Sequence, residues 1–161
     1  MITQLDHVNI VVADLPAMTA FYRDVLGLVV TKEVTIRGEW VERTVGLKDV
    51  IGHVVYLEPA HTPASHGGTR LELIQYESPT GDRPAGLGRS NTQGLRHLAF
   101  KVDDIDSLTD RLRSQGVHFF SDIQTVPDAQ VTYAGGVRKR LVYFRDPEGN
   151  LLELCEYKAA N

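Results

Sequence analysis

The sequence predicts an α+β fold: two tandem βαβββ modules whose sheets form an open, cup-shaped mixed sheet. Three observations carry that expectation. Arg70-Leu-Glu-Leu-Ile-Gln-Tyr76 and Leu151-Leu-Glu-Leu-Cys-Glu-Tyr157 are nearly the same words. His97-Leu-Ala-Phe-Lys-Val-Asp-Asp-Ile105 aligns with His7-Val-Asn-Ile-Val-Val-Ala-Asp-Leu15 at a constant offset of 90. Between the copies, residues 77–94 are dense in Gly, Pro, Ser and Asn and carry few apolar side chains, which reads as a linker. Internal repetition dictates architecture before any single motif does. The chain therefore divides into a first module at 1–76, the linker at 77–94 and a second module at 95–158.

In the first module, Leu5 to Ala13 is rich in β-branched residues and reads as a strand. Asp14 suits an N-cap and Pro16 the first helical turn. Met18, Phe21, Tyr22, Val25 and Leu26 then recur at helical spacing, and Gly27 stops the helix. Leu28 to Ile36 is a second strand, and 53–57 and 70–76 a further pair joined by a turn-rich loop. The second module repeats the order. A helix marked by Leu108 and Leu112 closes at Gly116, strands are expected at Val117 to Phe120 and Lys139 to Phe144, and Asp146-Pro-Glu-Gly149 turns the chain into Asn150 to Tyr157. Each module of roughly 70 residues is marginal alone, so the two are expected to pack side by side.

Composition narrows the function. The chain has 161 residues, 42% hydrophobic, with 17 Lys plus Arg against 21 Asp plus Glu and a net charge of −4. That balance disfavours a nucleic-acid or anionic-membrane partner and points to a small molecule. No apolar run approaches the roughly 18 residues of a membrane helix, and the N-terminal residues carry no leader pattern, so a cytoplasmic protein is expected. The single cysteine, Cys155, lies in an apolar strand and reads as a packed thiol.

The chemistry lies at His7, Glu72, His97 and Glu153. A histidine at a strand start is ordinarily a hydrogen-bonded structural residue, and a glutamate between leucines can face water. Here all four recur at duplicated points, and Leu71-Glu-Leu73 and Leu152-Glu-Leu154 are costly places to bury an unpaired carboxylate. One divalent cation, held by two imidazoles and two carboxylates, resolves that cost, and Ni, Zn, Co, Mn or Fe would suit the donor set.

The phrases His7-Val-Asn-Ile-Val-Val, Phe21-Tyr-Arg-Asp-Val-Leu-Gly27, His97-Leu-Ala-Phe-Lys-Val-Asp-Asp-Ile105 and Asp146-Pro-Glu-Gly-Asn-Leu-Leu-Glu153 resemble the vicinal oxygen chelate superfamily, the glyoxalase I, bleomycin resistance protein and extradiol dioxygenase fold. The resemblance spans nearly the whole chain and implies metal ligands at the same four residues. It looks nearest to bacterial glyoxalase-like proteins. The implied activity is a lyase or isomerase that stabilises an enediolate of a bidentate carbonyl substrate, with Glu72 or Glu153 moving the proton. The resemblance also implies a glutathione or CoA thioester or hemiacetal as substrate, and a homodimer. Competing readings are an acyl-CoA epimerase like methylmalonyl-CoA epimerase, an Fe(II) extradiol-type dioxygenase, and a non-catalytic small-molecule or drug binder. A fourth protein ligand leaves two octahedral positions, enough for a chelating substrate but with no seat for dioxygen, which favours the isomerase. Arg37, Trp40, Tyr133, Arg140 and Tyr143 are the candidates for substrate binding. His53, His61, His66 and His118 fall outside the repeat and are read as surface or structural.

Overall fold

The computed structural model describes residues 1–61, 68–131 and 136–159. The chain forms two compact units, Met1–Arg83 and Pro84–Asn161, so the division falls within the segment read as a linker. Each unit holds one four-stranded mixed sheet.

In the first unit, β1 (His7–Val11) leads to α1 (Leu15–Ala20), which runs into a π-helical turn at Phe21–Val25. Asp14 caps the start, its Oδ1 accepting from Ala17 N at 3.0 Å. Met18 and Tyr22 are fully buried, and Leu26 N donates to Phe21 O at 3.1 Å across the wider turn before Gly27 reverses the chain at φ +84. Then come β2 (Leu28–Arg37), α2 (Glu39–Val45), β3 (Ile51–Pro59) and β4 (Arg70–Ser78). The sheet order is β1-β4-β3-β2, with β1 parallel to β4 and the other pairs antiparallel.

α2 was not foreseen from the sequence. Its signals were present: Gly38 at φ +92 and Gly46 at φ +72 bracket it, Glu39 pairs with Arg43 one turn on, and Val41 is buried. The segment from Arg37 to Asp49 is therefore a strand end plus a short helix.

The second unit contains β5 (His97–Lys101), α3 (Ile105–Ser114), β6 (Gln124–Thr125), β7 (Val137–Arg145) and β8 (Leu151–Ala159), in the order β5-β8-β7-β6. The strand expected at Val117 to Phe120 is reduced to one bridge, Phe119 to Phe144, and the sheet is completed by the two-residue β6. Ser121 and Asp122 are exposed here, and Asp122 is drawn to Arg113 at 3.3 Å, so this stretch lacks the apolar alternation that would hold it on β7. The β7–β8 turn is held by Asp146, which is buried and accepts from Glu148 N, Asn150 N and Asn150 Nδ2. That turn sets the register: Tyr143 stands opposite Glu153, and Lys139 opposite Tyr157.

Alternation along each strand separates two faces. In the first unit, Val55, Leu57, Leu71 and Leu73 point to the side of α1 and form the core with Met18 and Tyr22. In the second, Val142, Phe144, Leu152 and Leu154 do the same beneath Ile105 and Leu112 of α3. The last strand of each unit also supports the helix start by a side-chain oxygen. Gln75 Oε1 accepts from Leu15 N at 3.1 Å, and Glu156 Oε1 from Ile105 N at 3.1 Å. These positions lie three residues after Glu72 and Glu153, so the strands support the helix starts from the face opposite those two glutamates.

Glu156 is almost wholly buried and is met by Lys158 at 2.8 Å and Arg140 at 3.5 Å. Burial raises its carboxyl pKa, but the Lys158 contact, the Ile105 amide and Arg140 outweigh it and hold it below the ordinary value. Asp106 is held low by Arg140, and Asp104 by Ser107 at its hydroxyl and amide. A carboxylate depressed in the folded state contributes stability that is complete above its unfolded value and is lost as pH falls through the folded one. We predict that Tm falls progressively below about pH 4, and that Glu156→Gln makes this acid decline shallower. A thermal-denaturation series across that range checks it, and an unchanged slope in the variant would contradict it.

Candidate metal centre

In the first unit, parallel pairing sets Asn9 beside Glu72, so Glu72 lies one pleat on from His7 on the same face, away from α1. His7 Nε2 is 3.7 Å from Glu72 Oε2. The other ring nitrogen, Nδ1, lies 2.8 Å from Asp6 Oδ2, which also accepts from Arg70 at 2.5 Å. This carboxylate–imidazole pairing orients the ring and leaves Nε2 to face Glu72. The hydrogen bond to His7, followed by that to Arg70, holds Asp6 below the usual carboxylate range. Tyr56 is the cross-strand partner of Glu72. Burial, then the Glu72 charge, pushes its hydroxyl pKa up, and the guanidinium of Arg70 lies over its ring at 5.9 Å.

The second unit repeats the arrangement more tightly. His97 Nε2 is 3.2 Å from Glu153 Oε2, and the Glu153 side chain is 4% exposed against 12% for Glu72. Tyr143 faces Glu153 across the hairpin and packs against the His97 ring at 5.1 Å. Burial, then Glu153, raises its pKa too. Lys139 Nζ lies 3.2 Å from Glu153 Oε1, yet that buried oxygen has no hydrogen-bond partner in good geometry. Burial is the largest influence on the lysine and lowers its pKa, but Tyr157 and Glu153 outweigh it and the net shift is upward. On the same face, burial and then Glu153 push the Cys155 thiol up, so it stays protonated, as a packed structural cysteine would.

Two donors each about 2.1 Å from one ion stand roughly 3 to 3.5 Å apart at adjacent coordination positions. The imidazole–carboxylate separations of 3.2 and 3.7 Å are close to that spacing, and the buried Glu153 Oε1 is a polar atom still lacking a hydrogen bond. Each pair therefore has the spacing of two donors at adjacent coordination positions. Among the described residues, no three metal-capable side chains gather at one point, so each unit by itself presents two donors.

The other candidates are placed as follows. Tyr143 is on the face of Glu153. Arg140 is not: it points to the helix side, where Asp106 receives it through two bonds of 2.6 Å and Glu156 lies at 3.5 Å. Alternation puts it one residue out of phase with Lys139 and Leu141. Arg37 is likewise out of phase, sharing the parity of Thr35 and His53 rather than that of Ile36. Trp40 lies on α2 and is 62% exposed. Tyr133, like His66, lies outside the described residues. His53 lies between Thr35 and Glu77, 3.2 Å from the hydroxyl of one and 2.8 Å from the carboxylate of the other. Sequence reasoning missed Asp6, Tyr56 and Lys139. Counting back across the Asp146 turn would have found Lys139, and the Tyr143 counterpart in the first unit would have found Tyr56.

Comparison with known proteins agrees with this architecture. The family model described as Glyoxalase/Bleomycin resistance protein/Dioxygenase superfamily matches residues 4–154. An uncharacterized protein of Escherichia coli, YaeR, is 33% identical over 95% of each chain. A biphenyl-2,3-diol 1,2-dioxygenase of Rhodococcus globerulus is 29% identical over 94% of this chain and 62% of its own length. The crystal structure of a glyoxalase family protein from Bacillus cereus superimposes with a TM-score of 0.77 at 26% identity, covering 98% of this chain and 95% of that one. With the repeat, the two mixed sheets and the paired imidazole–carboxylate positions, these matches show that the chain belongs to the Glyoxalase/Bleomycin resistance protein/Dioxygenase superfamily.

Proposed function

We propose that the protein is a divalent-metal-dependent lyase or isomerase of the glyoxalase type, acting on a substrate that presents two oxygens to the ion. The observation that carries the reading is the duplicated pair: His7 with Glu72 at 3.7 Å and His97 with Glu153 at 3.2 Å, at equivalent positions of both units. These four residues would hold the metal, one pair from each unit, drawn from one chain or from two copies. When bound, the ion supplies Lewis acidity that polarises the substrate carbonyl and stabilises an enediolate.

The chain's own groups do the rest. Asp6 orients the imidazole of His7, and the Tyr143 ring, packed at a tilt beside the His97 ring, limits the swing of His97. Glu72 or Glu153 takes the proton from the carbon next to the carbonyl and returns it to the neighbouring position. Tyr56 and Tyr143, both with raised pKa, remain neutral hydroxyls beside those carboxylates and can donate hydrogen bonds to substrate oxygens. A glutathione or CoA thioester or hemiacetal is the proposed substrate class, and a homodimer the proposed assembly.

The test is solvent-deuterium exchange at the α-carbon of hydroxycarbonyl and acyl-CoA compounds by metal-loaded protein. Exchange without oxygen consumption is expected, falling by about 100-fold or more in Glu72→Gln or Glu153→Gln, whichever supplies the base. The likeness to the Rhodococcus dioxygenase favours a second reading, ring cleavage of a catechol. Oxygen uptake with catechols and no carbon-bound exchange would establish that reading instead.

A further inference from the structure

Glu72 and Glu153 occupy matching positions but meet different neighbours. Tyr56 faces Glu72 as Tyr143 faces Glu153. Four residues earlier on the same strands, Gly52 stands opposite Tyr76 in the first unit, whereas Lys139 stands opposite Tyr157 in the second. At Gly52 there is little room for a side chain, since a Cβ there would lie 3.0 Å from Ile36 Cγ1 and 3.7 Å from Ile74 Cγ2. The repeat thus builds the same sheet with an apolar wall and no lysine, and Lys139 is not something the fold demands.

Lys139 has only 17% of its side chain exposed, so its ammonium needs an anion nearby. Glu153 is the only acid that β5, β7 and β8 place on that face, and Lys101 there adds another cation. Glu153 can serve Lys139 fully only while its charge is not taken by something stronger. In the proposed centre two carboxylates balance one divalent ion, and the ammonium then carries one positive charge in excess beside the coordination sphere.

We propose, on the metal-centre reading above, that Lys139 anchors an anionic group of the substrate. The site then takes bidentate oxygen ligands that also carry a carboxylate or a comparable oxyanion. Neutral dicarbonyl or hydroxycarbonyl compounds of the same bite bind more weakly, because they leave the ammonium uncompensated. The same residue gives the site a polarity: the anionic end of the ligand lies toward β7.

The experiment uses cobalt-loaded full-length protein, with oxalate as the anionic chelating probe and hydroxyacetone as the neutral one, both titrated by the cobalt absorption spectrum at saturating metal. In Lys139→Met, oxalate affinity is expected to fall by about tenfold or more, the scale of a lost charge-assisted contact, with hydroxyacetone affinity unchanged. Lys139→Arg keeps the charge and should retain oxalate binding to within about threefold. Equal oxalate affinity in wild type and Lys139→Met, or a parallel loss for both probes, overturns the anchor. Failure of the wild-type protein to take up cobalt overturns the metal-centre reading itself, and the anchor with it.

Discussion

Glu153→Ala is expected to lower divalent-metal affinity by about 100-fold or more, and His97→Ala by a similar factor, since removing even an outer partner of a metal ligand costs about 10- to 100-fold. Glu153 is the more enclosed of the two candidate carboxylates, it stands 3.2 Å from the imidazole of His97, and its Oε1 accepts no hydrogen bond. Alanine removes one proposed donor outright and leaves the Lys139 ammonium without its anion, placing an uncompensated positive charge beside the proposed metal position. Both effects have the same sign. Equilibrium dialysis with metal analysis reads the result, and Glu153→Ala protein that binds metal as the wild type does would remove Glu153 from the ligand set.

Glu156→Ala is expected to destabilise the fold by about 3 kcal/mol, the scale of breaking a buried ion pair with its hydrogen bond. Its carboxylate is 1% exposed and serves the first amide of α3, Lys158 and Arg140 together. The first unit shows which part of that role is structural, because Gln75 supports the start of α1 with an amide oxygen and no charge. Glu156→Gln is therefore expected to lose less than half as much as the alanine variant. Urea denaturation near neutral pH measures both. Equal losses for Gln and Ala would show that charge, rather than helix support, holds this position.

The contrast between Glu153 and Glu156 shows how far the sequence could be read. The repeated Leu-Glu-Leu words located both strands and both candidate ligands, because alternation requires the glutamate to face away from its flanking leucines. The constant offset between His7 and His97 located the partner strands for the same reason. Arg140 shows the same rule from the other side: its phase along β7 turns it toward Asp106 and Glu156 on the helix side. One residue of phase separates the face of Glu153 from the helix face. Lys139, two residues from Leu141 and four from Tyr143, was overlooked although the Asp146 turn fixes its register opposite Tyr157.

Other differences have local causes. α2 escaped notice because seven residues give too little apolar periodicity, and only the bracketing glycines and the Glu39–Arg43 spacing mark it. The strand expected at Val117 to Phe120 gave way to a single bridge because its downstream neighbours are polar and engaged elsewhere. No helix among the described residues is long and apolar enough to cross a membrane.

The central claim is that one divalent ion is held jointly by equivalent side chains of the two repeats. Pulsed electron paramagnetic resonance of Cu(II)-loaded protein counts the imidazole nitrogens on each ion. The account predicts two imidazoles per ion in the wild type and one after either His7→Ala or His97→Ala. A wild-type signal of one imidazole per ion, with two ions bound per chain, would mean that the pairs act separately and would contradict it.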